Sequence, residues 1–347
     1  MQIPLFRRYP GIADKIPWLQ LGEYPTPVEP LNVATEVFIK RDDLTSRLYG
    51  GNKVRKLEFL LAHARARGAK RLITVGAAGS HHALATTIYG KQLGFDVTLV
   101  LFPQPLTHHV REILLQDIAH GAELRFTRRM ETVPTALFAT TLRYRGDRAV
   151  VIPAGGSDAI GTLGYVNAAL ELAEQIENGI VPAPRTIIVA AGTLGTAAGL
   201  ALGCALAKLN VQIHAVRITS RLVTNERVLS RLIRGAEEIL RRAGGPQGNA
   251  DRALASVQIE HDYLGRGYGI ATDAAAAAVD ALSQTGIHLD QTYTAKAAAA
   301  LLAKAQTAQP PVLFWHTLSA HEPPLPQHVT IDNLPAPFKA YVQELKG

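Results

Sequence analysis

Residues 186–196 have the sequence Thr-Ile-Ile-Val-Ala-Ala-Gly-Thr-Leu-Gly-Thr, in which an uninterrupted apolar run leads into a loop with two glycines. A strand with apolar side chains on both faces is buried on both faces, which is typical of a parallel sheet covered by helices. Residues 197–209 are rich in alanine and leucine and predict a helix. This strand–loop–helix order predicts an α/β unit whose ligand-binding loop lies at the carboxyl end of the strand.

The same alternation of strands and helices continues along the rest of the chain. Short apolar runs predict strands at 72–75, 97–102, 150–153, 213–218 and 312–315. Helical spacing or alanine-rich composition predicts helices at 84–93, 110–118, 165–176, 274–278 and 297–300. The predicted fold class is therefore α/β, with open, mostly parallel twisted sheets covered by helices. A chain of 347 residues is too long for one small core, so we expect two domains or one large α/β unit.

Composition and charge exclude several classes of protein. The chain is 47% hydrophobic and 19% charged, which is ordinary for a packed enzyme, and no apolar run has the length of a membrane span. No secretory leader is recognisable at the start of the sequence, so we expect a cytoplasmic protein. The net charge of +7 is spread over scattered basic residues without an aromatic cluster, which favours small anionic ligands over nucleic acid.

The sequence offers no metal site. Its single cysteine, Cys204, rules out an intrachain disulfide and a cysteine-based metal centre, and its Ala/Leu-rich surroundings predict a core position. The adjacent pairs His81-His82 and His108-His109 do not have ligand spacing, because neighbouring residues on a helix do not face one point.

The turn Gly50-Gly51-Asn52-Lys53 places one lysine at the start of a helical pattern. Glycine allows a tight turn, and the positive potential of a helix N-terminus lowers the pKa of a nearby ammonium group. Such a lysine suits Schiff-base chemistry, which needs a neutral amine. A surface turn with a solvated lysine is the alternative that this motif alone leaves open.

Further loops have ligand-binding composition. The loop 192–196 suits a phosphate, although a plain strand–helix turn has the same appearance and the spacing is neither that of a nucleoside-triphosphate loop nor that of a dinucleotide site. Ser80 follows a second glycine loop at 76–79 and is either a carboxylate ligand or only a helix cap. Gly156 belongs to a third glycine-rich corner, and Tyr268 and Tyr293 each lie in a turn-rich segment.

Taken together, these segments resemble the fold-type II pyridoxal-phosphate enzymes, and more closely the family of 1-aminocyclopropane-1-carboxylate deaminase and D-cysteine desulfhydrase. The resemblance extends in order through nearly the whole chain. Its motifs are Lys-Arg-Asp-Asp-Leu at 40–44, Gly-Gly-Asn-Lys at 50–53, Gly-Tyr-Val-Asn-Ala-Ala-Leu-Glu-Leu at 164–172, Gly-Tyr-Gly at 267–269 and Asp-x-x-Tyr-Thr-x-Lys at 290–296. The blocks at 50–53 and 164–172 are the specific ones.

The resemblance implies pyridoxal 5'-phosphate as the cofactor, with Lys53 as the Schiff-base lysine and carrier of the α-proton. The implied cofactor-binding residues further include Asn52, His81, Gly192, Thr193, Leu194, Gly195, Thr196 and Thr317, with Thr294 as the alternative to Thr317 at the pyridine nitrogen. The implied substrate-binding residues are Ser80, His81, His82, Gly156, Tyr268 and Tyr293. Among these, Lys53, Ser80, Tyr268 and Tyr293 are expected to be catalytic, with Tyr293 as the proton relay.

The resemblance also implies a domain organisation and an assembly. Residues 1–52 and 162–347 are expected to form a large cofactor-binding domain, into which residues 53–161 are inserted as a smaller α/β domain. The family is usually dimeric, so a homodimer is expected.

Three positions depart from the family pattern. His81 replaces an asparagine that hydrogen-bonds the cofactor's phenolic oxygen, so an imidazole would affect the cofactor's electronics. Leu194 replaces a common glycine in the phosphate loop, so its side chain must point away or the loop is reshaped. Leu318 stands within a His-Thr-Leu-Ser segment where many members have His-Thr-Gly-Gly.

The segment Tyr293-Thr294-Ala295-Lys296 lacks the glutamate that is characteristic of the cyclopropane-opening branch. A hydroxyl near the pyridine nitrogen gives a weaker electron sink than a carboxylate, which still suffices when a good β-leaving group departs. We therefore expect α,β-elimination from a small amino acid such as D-cysteine. The alternatives are cyclopropane deamination, sulfite release from cysteate, a divergent biosynthetic reaction on a larger amino acid, and a degenerate protein that only binds the cofactor or another phosphate.

Overall fold

The computed structural model describes residues 2–343. The chain divides into two compact units, each made of two separate stretches. The larger unit contains residues up to Phe59 and Ser157–His321, and the smaller contains Leu60–Gly156 and the residues from Glu322 onward. The expected boundaries at 52/53 and 161/162, as limits of independently folding domains, stay a prediction.

The larger unit is built on a six-stranded sheet. Its strands are β1 (Val28–Pro30), β2 (Val37–Arg41), β7 (Thr186–Ala191), β8 (Gln212–Arg217), β9 (Val257–Glu260) and β10 (Val312–His316). Their order is β1-β2-β10-β7-β8-β9, and all neighbours are parallel except β1 and β2. The first and last stretches of the unit therefore meet in one sheet.

Helices cover both faces of this sheet, as the apolar strands require. The helices of the larger unit are α1 (Pro4–Arg8), α6 (Ala159–Glu177), α7 (Gly195–Leu206), α8 (Glu226–Arg242), α9 (Ala250–Ala255), α10 (Asp273–Ser283) and α11 (Thr294–Lys304). Ile187 and Val189 of β7 belong to the core with α1 and α6–α9, whereas Ile188 and Ala190 belong to the core with α10 and α11. Successive residues of β7 thus fill opposite cores.

The smaller unit has a four-stranded, wholly parallel sheet in the order β5-β4-β3-β6. Its strands are β3 (Arg71–Ala77), β4 (Asp96–Phe102), β5 (Glu123–Phe126) and β6 (Val150–Ile152). Its helices are α3 (His81–Gln92), α4 (His108–Ala119), α5 (Val133–Arg143) and α12 (Ala336–Gln343), while α2 (Asn52–Ala66) begins in the larger unit and ends in the smaller. Phe338 of α12 packs edge-on against Phe126 at 5.0 Å between ring centroids.

The α/β class is confirmed and every predicted strand is present, but β1, β5 and β9 were not predicted and several helices begin earlier than predicted. Helices α3, α4 and α6 start directly after Ser80, Thr107 and Asp158, whose side chains accept hydrogen bonds from backbone N–H groups of the first turn. Apolar spacing detects only the buried stripe, whereas the polar cap fixes the first residue of the helix.

Candidate active site

Lys53 lies in the first turn of α2, on the larger unit, after a turn that only glycine fits. Gly51 has φ 84°, and a Cβ there would lie 2.7 Å from the carbonyl oxygen of Thr317. The N–H of Asn52 donates to the same oxygen at 3.1 Å, and the side-chain amide of Asn52 donates to Thr196 Oγ1 at 3.1 Å. The turn therefore ties the start of α2 to the end of β10 and to the start of α7.

The amine of Lys53 loses its proton more readily than an ordinary lysine. Its side chain is half-buried, and Nζ donates to Asn52 Oδ1 at 2.6 Å. Burial lowers the pKa of Lys53 to about 8, although the negative charge of Asp290 opposes that change. A neutral amine is the form that attacks a carbonyl carbon.

A buried cluster of charges fixes the helix that carries Lys53. Arg55, on α2, makes two hydrogen bonds to Asp42 at 2.8 and 2.9 Å and two to Glu171 at 3.0 Å each. Lys40 donates to Glu171 at 2.6 Å. Burial would raise the pKa of Glu171, but Arg55 and Lys40 outweigh it and lower that pKa to about 2. Three more buried donors reach Asp42 at 2.7–2.9 Å, from Thr26, Tyr165 and Trp315.

In the loop between β7 and α7, the side chain of Leu194 does not fill the space beside the backbone N–H groups. Leu194 adopts φ 65°, in the left-handed region, and its side chain is buried in the core with only 2% exposure. The leucine therefore points away from the loop interior. The carbonyl oxygen of Gly192 accepts hydrogen bonds from the hydroxyls of Thr224 and Thr219, which hold the first residue of the loop in place.

Three side-chain donors meet at the start of α7. Lys56 Nζ lies 3.2 Å from Ser157 Oγ, which in turn lies 2.6 Å from Thr193 Oγ1. A Cβ on Gly195 would come within 2.5 Å of Ser157 Oγ and 3.0 Å of Lys56 Nζ, so glycine is needed here. Burial and the neighbouring charge of Lys53 hold the pKa of Lys56 well below its usual value. Hydroxyls, an amine and free N–H groups at a helix N-terminus form a cradle for an anion.

Tyr268 and Tyr293 form a pair of phenols on the larger unit. Their hydroxyl oxygens are 2.6 Å apart and their rings are nearly perpendicular. Burial raises the pKa of Tyr268 to about 12 and holds the pKa of Tyr293 well above its usual value, so both are neutral phenols. Tyr293 lies against the loop, since a Cβ on Gly192 would be 3.5 Å from its ring.

Asp290 and Lys296 position these two tyrosines. Asp290 accepts hydrogen bonds from the backbone N–H groups of Thr292, Tyr293 and Thr294, and caps α11. Lys296 Nζ donates to the carbonyl oxygens of residues 264 and 267, in the loop that precedes Tyr268. Tyr293 is thus held by the cap of α11, and the loop before Tyr268 is held by a lysine of the same helix.

Thr294 and Thr317, the two alternatives for the pyridine nitrogen, are in different situations. Thr294 Oγ1 donates to Asp290 at 2.8 Å and accepts from the N–H of Asp290, so it belongs to the cap of α11. The hydroxyl of Thr317 has no hydrogen-bond partner within residues 2–343. The free hydroxyl makes Thr317 the better candidate.

The smaller unit carries the remaining predicted residues. Ser80 caps α3 by accepting from the N–H of Ala83 at 3.3 Å, and His81 follows it, half-buried. His82 is buried with Nε2 at 3.1 Å from Thr74 Oγ1, beside β3, which gives it a packing role. Gly156 has φ 61°, and its N–H closes a turn onto Pro153.

Several residues of the site were missed from the sequence. Lys56 and Ser157 complete the anion cradle, Asp290 and Lys296 hold the tyrosines, and His109 lies beside His81. Two of them had a local signal, because Lys56 is one helical turn after Lys53 and Asp290 has the spacing of a helix cap. Ser157 and His109 meet their partners only through the tertiary fold.

The sequence from residue 19 to residue 317 matches the family model described as pyridoxal-phosphate dependent enzyme. The chain belongs to this family. Among curated relatives, it is 36% identical over 326 residues to D-cysteine desulfhydrase of Klebsiella pneumoniae subsp. pneumoniae, covering 87% of this chain and 94% of the relative. It is 35% identical over 322 residues to nocardicin C-9' epimerase of Nocardia uniformis subsp. tsuyamanensis, covering 88% and 94%.

Two solved structures are similar to this chain along most of its length. A crystal structure of an ACC deaminase homologue matches with a TM-score of 0.78 and 34% identity, covering 92% of this chain and 95% of that one. O-ureido-L-serine synthase matches with a TM-score of 0.60 at 15% identity, over 89% of this chain and 91% of that one, and so shares the fold. The predicted family, fold class and cofactor, pyridoxal 5'-phosphate, are confirmed.

The residues of the larger unit fit this cofactor. The cradle at the start of α7 has the donors that a phosphate group needs, and Lys53 supplies an amine with a lowered pKa for the aldehyde. Within residues 2–343, no helix is long and apolar enough to cross a membrane, and no cluster of three or more His, Cys, Asp or Glu could hold a metal ion.

Proposed function

We propose that this enzyme catalyses α,β-elimination from a small amino acid, with D-cysteine or a related β-substituted alanine as substrate. With one water molecule consumed, the products would be a 2-oxo acid, ammonia and the leaving group, which is sulfide in the case of cysteine. The proposal is supported by 36% identity to a D-cysteine desulfhydrase over 87% of the chain.

The observation that carries the proposal is the pairing of an amine with a lowered pKa and two neutral phenols on one unit. Elimination needs a base for the α-proton and an acid for the leaving group. Lys53, whose pKa is about 8, can supply the base, and the Tyr268–Tyr293 pair can supply the acid.

When bound, pyridoxal phosphate withdraws electrons from the α-carbon of the substrate and makes its proton acidic. Lys53 Nζ would hold the cofactor, and the same nitrogen in its neutral form would accept the α-proton of the substrate. Asn52 Oδ1, 2.6 Å from Nζ, restricts the position of that nitrogen. One residue thus serves as the anchor and as the base.

The phenol pair delivers a proton to the leaving group. One hydroxyl donates to the other across 2.6 Å, so a single O–H remains free to donate outward. We assign that role to Tyr293, because its ring lies against Gly192 in the cofactor loop. Tyr268 then stabilises the oxygen of Tyr293 after the proton has left.

The anionic phosphate group needs hydrogen-bond donors. We assign it to the cradle of Lys56, Ser157 and Thr193 on the larger unit. The roles that the resemblance gives to residues of the smaller unit stay predictions; these residues are Ser80, His81, His82 and Gly156.

Elimination is preferred over cyclopropane opening because a hydroxyl, Thr317, is the group assigned to the pyridine nitrogen. A hydroxyl does not keep that nitrogen protonated as a carboxylate would, so the electron sink is weaker. Removal of the α-proton leaves negative charge at the α-carbon, which a weak electron sink stabilises poorly. A leaving group at the β-carbon departs with an electron pair and so relieves that charge.

Epimerisation of a larger amino acid is the second candidate, and the 35% identity to nocardicin C-9' epimerase favours it. Both reactions begin with removal of the α-proton. They diverge afterwards, because an epimerase returns a proton to the opposite face whereas an eliminating enzyme releases a 2-oxo acid.

The test is a set of incubations in D₂O with D-cysteine, L-cysteine, β-chloro-D-alanine and 1-aminocyclopropane-1-carboxylate. We expect 2-oxo acid and ammonia from D-cysteine, and loss of both activity and the cofactor's visible absorption band in Lys53→Ala. Lys70→Ala, on the loop before β3, is the matched control.

Each other outcome has a definite meaning. Deuterium at the α-carbon with inverted configuration and no 2-oxo acid would replace elimination by epimerisation. A visible band without reaction on any substrate would point to a different amino acid. Absence of the band after addition of pyridoxal phosphate would favour a degenerate binding protein. A homodimer and a cytoplasmic location stay predictions, the first testable by sedimentation equilibrium.

A further inference from the structure

Arg217, the last residue of β8, joins two loops of the larger unit. Its Nη1 donates to the carbonyl oxygen of Thr219 at 2.6 Å. Its Nε donates to Nδ1 of His261 at 2.8 Å, and its Nη2 donates to the carbonyl oxygen of His261 at 3.2 Å. All three guanidinium nitrogens are thus engaged, and Arg217 is only 8% exposed. The loops it joins are the β8–α8 loop, residues 218–225, and the tyrosine loop, residues 261–268.

The β8–α8 loop lies against the cofactor loop 192–196. The hydroxyls of Thr219 and Thr224, 2.6 Å apart, both reach the carbonyl oxygen of Gly192. A Cβ on Gly192 would lie 3.7 Å from the side chain of Thr219. In the sheet, Arg217 is the register partner of Ala191, the residue just before the cofactor loop. The contact of Arg217 with Thr219 therefore supports the loop that begins the anion cradle.

The tyrosine loop is fixed near both of its ends. Arg217 holds its first residue, His261, through two hydrogen bonds. Lys296 Nζ donates to the carbonyl oxygens of residues 264 and 267 at 2.8 and 3.3 Å. The loop ends at Tyr268, whose hydroxyl lies 2.6 Å from that of Tyr293. The position of the phenol pair therefore depends on how the start of this loop is held.

The three acceptors suit an arginine and no other side chain. A guanidinium group is planar, only donates, and carries its N–H groups in fixed directions, whereas a lysine has a single nitrogen. Because Nε donates to Nδ1 of His261, that nitrogen is bare and a neutral His261 carries its proton on Nε2. None of the three acceptors is a carboxylate, so these hydrogen bonds fix geometry without forming an ion pair.

We propose that Arg217 is a positioning residue that places the cofactor loop and the tyrosine loop relative to each other. Through Thr219 it sets the loop that begins the phosphate cradle, and through His261 it sets Tyr268, the partner of the acid Tyr293. This inference rests on the proposed function, which gives the two loops their roles. Neither Arg217 nor His261 belongs to a motif that the sequence identified.

The first test observes the hydrogen bond in the apoenzyme, with no cofactor or substrate. In the ¹⁵N-arginine-labelled protein, Arg217→Met and Arg221→Met assign the Nε–H signals. The Nε–H of Arg217 should exchange with solvent about tenfold more slowly than that of the exposed Arg221, the effect of one hydrogen bond. His261→Leu removes the acceptor and should accelerate this exchange. Equal exchange rates for the two arginines would overturn the proposal.

The second test measures how the apoenzyme binds pyridoxal 5'-phosphate and pyridoxal, which lacks the phosphate. Arg217→Met should weaken binding of the phosphate form on the order of tenfold and leave pyridoxal binding unchanged, because only the phosphate uses the cradle. Unchanged pyridoxal binding also shows that the variant is folded. Arg217→Lys keeps the charge but not the three hydrogen bonds and should lose nearly as much.

Arg221→Met, at an exposed position of the same loop, is the matched control and should change neither affinity. Full recovery in Arg217→Lys would show that the charge alone matters. An equal loss for pyridoxal and its phosphate would show that Arg217 only supports the fold. Either result would overturn the proposal.

The third test releases only the tyrosine loop. His261→Leu should lower kcat on the order of tenfold, for D-cysteine or whichever substrate of the incubations above reacts, with cofactor affinity unchanged. His261→Asn presents an oxygen near the position of Nδ1 and should recover most of the loss. In a Tyr268→Phe background, His261→Leu should cause no further loss. An equal loss in both backgrounds would mean that His261 does not act through Tyr268, and would overturn the proposal.

The two proposals fail separately. Slow exchange at Arg217 and a phosphate-selective loss in Arg217→Met, together with full activity of Lys53→Ala, would remove the proposed function and leave the role of Arg217. An inactive Lys53→Ala, together with unchanged phosphate binding in Arg217→Met, would keep the proposed function and remove the role of Arg217.

Discussion

Leu194 shows how one residue can be strained and stabilising at once. Its backbone has φ 65°, which costs a non-glycine residue about 1 kcal/mol, yet its side chain is buried in the larger core. Burying a leucine outweighs that cost. The glycine that is common at this position would relieve the backbone and leave a cavity.

Leu194→Ala and Leu194→Gly should therefore differ in a defined way. Both lose the buried side chain, which costs about 3 kcal/mol, but only alanine keeps the backbone strain. We expect the alanine variant to be less stable than the glycine variant by about 1 kcal/mol, measured by urea unfolding at fixed pH. Equal stabilities, or a less stable glycine variant, would show that the left-handed backbone costs nothing here.

Lys53 leads to a prediction about pH. With a pKa of about 8, half of its amine is neutral at that pH, and the neutral fraction grows as the pH rises. Cofactor uptake by the apoenzyme should accelerate through pH 8, followed by the appearance of the visible band. Asp290→Asn removes the charge that opposes the lowered pKa, so the profile should move to lower pH. A shift to higher pH would contradict the assigned role of Asp290.

At the scale of elements, the buried cluster around Arg55 joins α2, α6 and β2. Arg55 and Lys40 compensate Glu171, so removing that carboxylate would leave the buried Lys40 without its ion-pair partner and Arg55 with Asp42 alone. Breaking a buried ion pair from one side typically costs 3–5 kcal/mol, far more than the pair adds over apolar packing. The cluster therefore fixes the position of the first turn of α2 more than it raises overall stability.

Glu171→Gln should destabilise the enzyme by about 3 kcal/mol at neutral pH. Because the pKa of Glu171 falls from 4.5 to about 2 on folding, its contribution is present above pH 4.5 and is lost as the pH falls towards 2. The difference from the wild type, measured by guanidinium unfolding, should therefore shrink below pH 4.5. Glu177→Gln, on the exposed face of the same helix, should stay within about 1 kcal/mol at every pH. A constant difference between pH 2 and 7 would rule out this account.

The elements were largely predictable from sequence, whereas their polar partners were only partly so. The apolar runs of β7 and β10 and the glycine turn before Lys53 are local signals, and so are the caps once they are looked for. Arg55 and Glu171 are separated by 116 positions, and His81 and His109 by 28, so their pairing depends on the tertiary fold. The orientation of the Leu194 side chain could not be predicted either, because it depends on packing in the core of the larger unit.

At the scale of the whole molecule, two buried carboxyl groups give stability opposite pH dependences. Glu171 in the larger unit stabilises the fold as the pH rises from 2 to 4.5. Asp117, on α4 of the smaller unit, has no hydrogen-bond partner for its carboxylate within residues 2–343, and burial holds its pKa well above the usual value. Its ionisation opposes folding, so its cost grows as the pH rises above about 4.

Asp117→Asn should remove that cost. Well below the usual aspartate pKa of 3.8, where the carboxyl is protonated in both states, we expect the variant and the wild type to be similar in stability. Above that pKa the variant should become increasingly more stable, as measured by thermal unfolding from acidic to alkaline pH. Glu112→Gln, an exposed position on the same helix, is the control. A variant that is less stable at high pH would mean that the carboxylate has a stabilising partner.

The strand order of the two sheets has a consequence for synthesis on the ribosome. All four strands of the smaller sheet lie between residues 71 and 152, whereas β2 gains its parallel neighbour only when β10, at 312–316, has emerged. A nascent chain stalled near residue 250 should therefore protect 71–152 from protease while residues 28–41 are still cleaved. Equal protection of both segments would show that the β1–β2 pair is protected before β10 has been synthesised. Until β10 has been synthesised, the segment that presents Lys53 lacks its parallel neighbour, which gives a chaperone a long interval in which to bind it.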